Sequence, residues 1–371
     1  MALSENVIVL AAGGTGGHVF PAEALAVELT RRGYSPSLIT DRRWGALGNL
    51  ETHLIRAGGV AGKNVTSLLR SGPELAIGTF QSRSLLRKLQ PRAVIGFGGY
   101  ASIPTMLAAT FGSYNSIIHE QNAVLGRANR LLASRVKRIA TSFKGTRLVP
   151  KSALSKVVCT GMPVRPEVAA VRNTPYPELN SNGELHLLVL GGSQGAHILS
   201  EVIPEAIARL GADLKSRLFI SQQCRPEDIN SARNSFKRIE VNVQLESFFN
   251  DIPELFSRSH LLISRAGAST VSEVMTVGRP AILIPYPHAV DDHQTFNAHA
   301  LDEVGGGWIM PQENLTPDGL AERLGSLLTV PGTLKRAAEC ARSSGQPDAA
   351  IRLADAVCDL IGKDENERSV A

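Results

Sequence analysis

The residues best suited to chemistry stand in GGTGGH, residues 13 to 18, between the apolar run VIVLAA and a segment with helical spacing. Glycines let the backbone turn tightly and let a ligand approach the amide groups. A helix that begins at such a loop presents unpaired amides and its positive dipole end to an anion. The imidazole of His18 can accept a proton near neutral pH. The pattern predicts a phosphate site with a candidate base, and a tight turn without a ligand is the alternative.

The same arrangement occurs a second time near the middle of the chain. The apolar run LHLLVL, residues 185 to 190, precedes GGSQGA, residues 191 to 196, and then another helical segment. Two such units in succession are typical of two doubly wound α/β domains. Between the two loops, the proline- and asparagine-rich stretch TPYPELNSNGE, residues 174 to 184, indicates a linker or a long surface turn.

Other polar clusters also follow apolar runs that are typical of strands. These are GFGGYAS at 96 to 102, HEQN at 119 to 122, SRAGASTVSE at 264 to 273 and PYPHAVDDHQ at 285 to 294. Ligands of open α/β sheets bind beyond the carboxyl ends of the strands. We therefore expect the clusters to line two facing clefts that form one site between the domains.

Composition restricts the class of protein. Of 371 residues, 43% are hydrophobic and 20% are charged, which is typical of a soluble globular protein long enough for two domains. The four cysteines include no CxxC pair, so neither a disulfide framework nor a zinc site is predicted. The first apolar run is too short for a signal peptide core, which favours a cytoplasmic protein. Residues 93 to 118 carry no charge, but their glycines and proline indicate strand, loop, helix and strand.

The net charge of +5 favours an acidic partner. Nucleic acid is not expected, because the sequence lacks a dense basic stripe with interleaved aromatic residues. An anionic membrane surface is the better candidate. The segment from Leu68 to Arg92 mixes apolar residues with five basic ones and is a candidate docking patch; a core-facing helix with a solvated basic face is the alternative. Its basic residues are Arg70, Arg83, Arg87, Lys88 and Arg92.

A nicotinamide-dependent oxidoreductase also carries a glycine loop after its first strand. Here GxGxxG read from Gly14 gives Gly16 but then Val19, and GGSQGA contains no GxG. Asp41 does stand near the expected position of a ribose-binding acid. The oxidoreductase and a noncatalytic membrane or divisome adaptor therefore stay as alternatives to a transferase.

In their order and spacing, GGTGGH, GFGGYAS, HEQN, GGSQGA, SRAGASTVSE and PYPHAVDDHQ closely resemble the MurG family. These are the UDP-N-acetylglucosamine: lipid I N-acetylglucosaminyltransferases of bacterial cell-wall synthesis. The resemblance runs from about Val7 to about Leu328. It implies the α/β GT-B fold, with two Rossmann-like domains facing across a cleft. Residues 1–165 would form the acceptor- and membrane-facing domain, residues 166–348 the UDP-GlcNAc-binding domain, and a helix at about 349–361 would pack back on the first.

The resemblance implies inverting transfer of N-acetylglucosamine (GlcNAc) from UDP-GlcNAc to the C4 hydroxyl of the N-acetylmuramyl (MurNAc) unit of lipid I, giving lipid II. It implies no cofactor and no bound metal, and Asp291 and Asp292 are then solvated or structural acids. The expected place is the cytoplasmic face of the bacterial inner membrane, peripherally bound. Other cell-wall synthesis proteins are expected as further partners, with roles in cell shape and division.

On the acceptor side, His18 is the first choice of base because its imidazole can accept a proton near neutral pH and stands in the cleft loop. A histidine that only hydrogen-bonds the loop or donates to a phosphate is the alternative. Glu120 is the reserve carboxylate, with bracing of its loop as the alternative, and Asn122 is either a substrate-positioning residue or a strand-end cap. The remaining residues implied here are the phosphate-loop positions Thr15, Gly16 and Gly17 and the acceptor-loop positions Gly98, Gly99 and Tyr100.

On the donor side, Arg165 is implied to contact the nucleotide sugar, although Met162 stands nearby where the family usually has asparagine. Glu273 is implied to bind the ribose hydroxyls, but Thr270 and Glu273 also have the spacing of a capping box. Ser221 to Cys224 replaces the family's usual HQTG-like stretch. The other implied donor-site residues are Gly192, Ser193 and Gly195 at the diphosphate, Phe249 at the uracil, Ala268, and His293 and Gln294 at the sugar hydroxyls.

Overall fold

A computed structural model describes residues 6–14, 16–41, 50–57, 65–180, 183–193 and 195–370, without the side chains of 65–71, 331 and 364–370. The chain divides into two compact units. Unit 1 comprises Met1–Arg165 together with Pro347–Ala371, and unit 2 comprises Pro166–Gln346.

Unit 1 is built on a parallel sheet of seven strands. In chain order they are β1 (Val7–Ala11), β2 (Ser35–Thr40), β3 (Glu51–Leu54), β4 (Ala93–Gly96), β5 (Ser116–Glu120), β6 (Arg138–Thr141) and β7 (Val157–Cys159). Their order across the sheet is β3-β2-β1-β4-β5-β6-β7, and every neighbouring pair is parallel. The strand order reverses between β1 and β4, so the crevice beyond their carboxyl ends is a natural ligand site. GGTGGH and GFGGYAS begin at those two strand ends.

The first four helices cover both faces of this sheet. They are α1 (Gly16–Arg31), α2 (Val65–Leu89), α3 (Gly99–Phe111) and α4 (Arg127–Ala133). Leu25 and Leu29 of α1 are fully buried on one face, whereas Leu86, Met106 and Leu132 of the other three helices are buried on the opposite face. Residues 93–118 form strand, loop, helix and strand, which confirms that part of the sequence prediction.

Unit 2 repeats the design with six parallel strands. They are β8 (Leu185–Leu190), β9 (Leu218–Gln223), β10 (Asn242–Glu246), β11 (Leu261–Ser264), β12 (Ala281–Leu283) and β13 (Gly307–Ile309). Their order is β10-β9-β8-β11-β12-β13, so the reversal falls between β8 and β11. GGSQGA begins at the end of β8 and SRAGASTVSE at the end of β11.

The helices of unit 2 enclose a large apolar core around β8, β9 and β11. They are α5 (Pro166–Ala170), α6 (His197–Ala208), α7 (Ala212–Arg217), α8 (Ile229–Arg238), α9 (Ile252–Arg258), α10 (Ala268–Val277), α11 (His293–Asp302), α12 (Pro317–Thr329) and α13 (Pro331–Ser344).

The described part of residues 174–184, which leaves out 181 and 182, belongs to unit 2 and does not join the two units. The hydroxyl of Tyr176 donates to the carbonyl oxygen of His260 at 2.7 Å, and the buried Arg279 donates to the carbonyl oxygen of Pro175 at 3.4 Å. The two units meet in sequence earlier, between Arg165 and Pro166. The segment is therefore a long surface turn held by buried polar contacts.

The last helix, α14 (Ala349–Val370), returns to unit 1. Leu353, Val357 and Ile361 recur at helical spacing and join the core that contains Leu25 and Leu29 of α1. Burying a side chain of this size contributes about 1.5 to 3 kcal/mol. No helix in the described ranges is both long enough and apolar enough to cross a membrane.

Candidate active site

The GGTGGH loop of unit 1 begins with two glycines, the first required by close packing and the second by its backbone conformation. A Cβ on Gly13 would lie 2.8 Å from Cβ of Ala101 and 2.9 Å from Oγ1 of Thr40, and Gly14 has a φ of 92°. Gly16 and Gly17 then form the first turn of α1, where backbone amides lack partners within the helix. This geometry suits an anion held by main-chain groups. Thr15 lies outside the described residues.

His18 follows in the same turn, and one of its two ring nitrogens makes hydrogen bonds within the protein. Nδ1 lies 2.8 Å from the carbonyl oxygen of Phe97 and 3.2 Å from Oε1 of Gln121. Because both oxygens only accept hydrogen bonds, Nδ1 carries the proton of the neutral ring. Nε2 makes no hydrogen bond to any described residue, so its lone pair is available to a substrate hydroxyl.

The GFGGYAS loop packs directly against His18. Gly98 and Gly99 both have positive φ, 76° and 69°. A Cβ on Gly99 would lie 3.3 Å from Cδ2 of His18 and 3.2 Å from the carbonyl oxygen of Gly13. Tyr100 follows at the start of α3 with 43% of its surface exposed. The two loops that the sequence analysis singled out in unit 1 are therefore brought together.

Glu120 is buried, and its carboxylate is fully engaged by the loop that follows it and by Asn129 of α4. Oε1 accepts from the backbone and side-chain nitrogens of Asn122, at 2.9 and 3.2 Å. Oε2 accepts from the backbone nitrogen of Gly126 and from Nδ2 of Asn129, both at 2.8 Å. Four donors on two oxygens favour the bracing alternative for Glu120 and connect Asn122 to the brace. A role as base stays a prediction for Glu120.

Arg165 is the last residue of unit 1 and lies beside the phosphate loop. Its guanidinium carbon is 5.3 Å from the centre of the Phe20 ring on α1. The edge of the same ring is 2.8 Å from where a Cβ of Gly16 would be. Phe20 thus lies between a permanent cation and the amide end of α1, and both of these groups suit an anion.

The GGSQGA loop of unit 2 is equally intolerant of side chains. A Cβ on Gly191 would lie 2.5 Å from the backbone nitrogen of Ala196, and Gly192 and Gly195 have φ of 80° and 67°. Ser193 is exposed at the turn, and α6 begins at His197, one residue beyond the loop. The predicted sequence of strand, glycine loop and helix is present.

Arg265, at the end of β11, is a functional candidate that the sequence analysis missed. Its Cβ is 3.9 Å from where a Cβ of Gly192 would be, because β11 pairs with β8. The guanidinium donates to Oε1 of Gln312 at 2.6 Å and to the carbonyl oxygens of Ile284 and Pro285, both at 3.3 Å. Burial lowers the pKa of Arg265 from its ordinary value. The only signal in the sequence is an arginine directly after the strand.

Arg225 is a second missed candidate, and it stands directly after the stretch that departs from the family pattern. A Cβ on Gly195 would lie 2.8 Å from Cγ of Arg225. The positive charge of Arg225 adds to the effect of burial and also lowers the pKa of Arg265. Nε of Arg225 is buried, and the guanidinium has no hydrogen bond or ion pair within the described ranges. Two cations therefore flank the GGSQGA loop.

Glu273 lies on α10, and its position excludes the capping box. The helix begins at Ala268 with Gly267 as its N-cap, so Thr270 is already inside the helix. Glu273 is buried in the second turn, and Ala268 is buried at the helix start. Helix capping thus does not explain Glu273, and the ribose assignment stays a prediction. Phe249 is buried just beyond the end of β10.

The DDHQ segment connects the start of α11 to the Arg265 cluster. Oε1 of Gln294 accepts from the backbone nitrogen of Tyr286 at 2.9 Å, and the Tyr286 ring lies 5.5 Å from the Arg265 guanidinium carbon. His293 donates from Nδ1 to the carbonyl oxygen of Val290 at 2.8 Å. Asp291 and Asp292 both have positive φ, 53° and 52°, which is strained for non-glycine residues. The Nε2 atoms of His293 and Gln294 make no hydrogen bond to the described residues.

Comparisons with known proteins match both parts of the chain to one glycosyltransferase family. The glycosyltransferase family 28 N-terminal domain matches residues 8–141, and the family's C-terminal domain matches residues 186–353. A relative from Paramagnetospirillum magneticum is 56% identical over 97% of this chain and 98% of its own length. It is a UDP-N-acetylglucosamine--N-acetylmuramyl-(pentapeptide) pyrophosphoryl-undecaprenol N-acetylglucosamine transferase, as is a Rhodospirillum rubrum relative that is 55% identical over 94% of this chain and 91% of its own length.

The chain belongs to the MurG family. The crystal structure of Acinetobacter baumannii MurG superposes with a TM-score of 0.77 at 31% identity and covers 95% of this chain and 99% of that one. A glycotransferase of kitacinnamycin, at 15% identity and a TM-score of 0.72, shares the fold. The fold is GT-B, as the family resemblance implied, and the chain is a glycosyltransferase. The oxidoreductase and the noncatalytic adaptor find no support in these comparisons.

Proposed function

We propose that this chain transfers GlcNAc from UDP-GlcNAc to the C4 hydroxyl of the MurNAc unit of lipid I, giving lipid II and UDP. The observation that carries the proposal is the ring of His18, which keeps an unprotonated nitrogen free beside an amide-rich helix start. The names of the full-length relatives support the same donor and acceptor.

In the proposed reaction, Nε2 of His18 takes the proton of the acceptor hydroxyl. The oxygen then forms a bond to the anomeric carbon from the face opposite the diphosphate, which inverts that centre. The bond between the anomeric carbon and the diphosphate oxygen breaks, and its electron pair leaves with UDP. A positioned general base typically contributes about 10²- to 10⁴-fold to such a rate.

The departing diphosphate needs positive charge, and we assign this to main-chain amides and arginines. The GGSQGA loop with Ser193, together with Arg265 and Arg225, supplies this charge in unit 2, and Arg165 supplies it in unit 1. Preorganised donors of this kind are worth most where charge develops in the transition state. We assign the remaining donor contacts as the family resemblance implies, to Phe249, Ala268, Glu273, His293 and Gln294.

The acceptor is lipid-linked, so the enzyme must work at a membrane surface. We propose that the enzyme docks on the cytoplasmic face of the membrane through residues 72–89 of α2. The side chains of Leu68 and Arg70, which the sequence also predicted for this patch, lie outside the described residues. Ile77 and Phe80 are 42% and 77% exposed, and the exposed cations Arg83, Arg87 and Lys88 follow on the same helix. Exposed aromatic side chains next to basic ones suit an anionic interface. Other cell-wall synthesis proteins would meet the enzyme there.

The proposal is tested by the release of UDP from UDP-GlcNAc in the presence of a soluble lipid I analogue. We expect release that requires both substrates, with much lower activity when UDP-GalNAc replaces UDP-GlcNAc. Release that is independent of the acceptor, or equal for the two sugar nucleotides, would contradict the assigned reaction.

A further inference from the structure

His18 is one end of a chain of hydrogen bonds through two residues of HEQN. Oε1 of Gln121 lies 3.2 Å from Nδ1 of His18, and Nε2 of Gln121 lies 3.2 Å from Nδ1 of His119. Nε2 of His119 in turn lies 3.1 Å from the carbonyl oxygen of Gly161. Nε2 of Gln121 also donates to the carbonyl oxygen of Phe97 at 2.9 Å, the same oxygen that His18 contacts.

The carbonyl oxygens of Gly161 and Phe97 fix the position of each proton in this series of hydrogen bonds. The Gly161 oxygen can only accept, so His119 is protonated on Nε2 and its Nδ1 is an acceptor. The nitrogen of the Gln121 amide must then face His119 and Phe97, which directs its oxygen to His18. Nδ1 of His18 then carries a proton and donates to this oxygen. The opposite amide orientation would place the Gln121 oxygen against the Phe97 oxygen.

His119 is a neutral member of the chain. It is completely buried, and burial lowers its pKa from 6.5 to about 4. It therefore adds no second positive charge beside His18 when His18 holds a proton. The other ionisable groups around the loop are Glu120, which is bound by its own loop, Arg165, and Asp41, whose Oδ1 is 3.5 Å from the Cβ position of Gly13.

We propose that Gln121 is a positioning residue that, with His119 behind it, holds the proton of His18 on Nδ1 and so keeps Nε2 free for the acceptor hydroxyl. This inference rests on the proposed function of His18 as base. A primary amide is suited to the place, because one planar group donates to two acceptors and also accepts from one donor. The imidazolium formed after proton transfer would keep two oxygen acceptors on Nδ1.

The decisive variant is Gln121→Met, which keeps the length of the side chain and removes all of its hydrogen bonds. We expect kcat to fall about 10- to 100-fold, as misplacement of a catalytic group does, while KM for UDP-GlcNAc stays within about twofold. Asn115→Leu is the matched control, because Asn115 is also buried, directly before β5 begins, and its Nδ2 donates to the carbonyl oxygen of Arg92 at 3.1 Å. We expect the control to keep the wild-type kcat.

A second variant, Gln121→Glu, keeps the acceptor and loses the donors. Its carboxylate would hold the proton of the His18 imidazolium more tightly, so the acidic limb of the kcat–pH profile should move to higher pH. A side chain that merely fills space would leave this limb in place, and such a result together with an unchanged kcat for Gln121→Met would overturn the inference.

Long-range ¹⁵N NMR of the imidazole rings tests the proton positions without turnover. We expect wild-type His18 protonated on Nδ1 and His119 on Nε2, and a mixture of His18 tautomers in Gln121→Met. A wild-type His18 proton on Nε2 would overturn this inference. Absence of UDP release by the wild type would instead overturn the proposed function, so the two failures are distinguishable.

Discussion

His18 and Glu120 differ in how many of their polar atoms the protein already uses. Both oxygens of Glu120 accept from donors of the following loop and of α4, whereas Nε2 of His18 makes no hydrogen bond to the described residues. A general base must have a lone pair within reach of the proton that it takes. At the scale of single residues, this difference supports the proposal that His18 is the base and Glu120 the brace.

Replacing His18 by alanine should remove the base and leave donor binding in place. We expect kcat to fall about 10²- to 10⁴-fold with little change in KM for UDP-GlcNAc, measured by UDP release at saturating acceptor analogue. His53→Ala, a half-buried histidine on β3, is the control and should keep its activity. A His18→Ala protein with wild-type kcat would remove His18 from the mechanism.

Replacing Glu120 by glutamine should act mainly on stability. The new NH₂ group would face donors of the HEQN loop, and an unsatisfied buried hydrogen-bonding group costs about 1 to 3 kcal/mol. We expect urea denaturation to show this loss in the free energy of unfolding, with a kcat–pH profile of wild-type shape. Loss of the acidic limb of that profile in Glu120→Gln would instead identify Glu120 as the base.

The glycine loops matter at the scale of elements, because each joins a strand to a helix with main chain packed against main chain. Gly191→Ala would place a Cβ 2.5 Å from the backbone nitrogen of Ala196. We expect UDP binding, measured by calorimetry, to weaken by at least about tenfold because the amides move. Gly325→Ala in α12 is the control, since nothing lies within 4 Å of its Cβ position. Unimpaired UDP binding by Gly191→Ala would count against the loop as the diphosphate site.

The basic and apolar face of α2 is also a property of an element. Arg83, Arg87 and Lys88 are exposed, and so are Arg233, Lys237 and Arg238 at the same spacing on α8. Changing the first three to glutamine should weaken binding to anionic vesicles by about 1 kcal/mol per charge, and changing the second three should not. Equal losses in co-sedimentation for the two triple variants would show that only net charge matters.

The sequence predicted the elements better than the contacts between distant segments. The patterns around β1 with α1 and β8 with α6 are local, since an apolar run, glycines and helical spacing follow one another. Arg265 could not be recognised in the same way, because its neighbour Gly192 is close only through the pairing of β8 with β11. The spacing of Thr270 and Glu273 suggested a cap, but Gly267 starts the helix earlier. Gln121 gains its proposed role only from the carbonyl oxygen of Phe97 and from Nδ1 of His18, both distant in sequence.

At the scale of the whole molecule, each unit contains a buried histidine that resists protonation. Burial lowers the pKa of His119 in unit 1 and of His260 in unit 2 from 6.5 to about 4. In each case the unfolded state binds the proton more tightly. The contribution of each neutral histidine to the free energy of unfolding is therefore complete above pH 6.5 and is lost as the pH falls toward about 4.

We expect the free energy of unfolding to decrease across this window by an amount on the order of 3 kcal/mol for each histidine. Denaturant titrations at a series of pH values measure the slope. His260→Asn should be less stable at neutral pH but should show a shallower slope in the transition of unit 2. An equal slope in the variant and the wild type would exclude His260 as a source of acid sensitivity.

The proposed reaction of the whole molecule is transfer of a sugar, with inversion, to a defined hydroxyl. The most direct measurement uses UDP-GlcNAc labelled with ¹³C at the anomeric carbon, a lipid I analogue and NMR of the product. We expect the label in a β linkage to C4 of the MurNAc unit, formed from the α-linked donor. Labelled free GlcNAc as the only product, an α linkage or attachment to another hydroxyl would contradict the account.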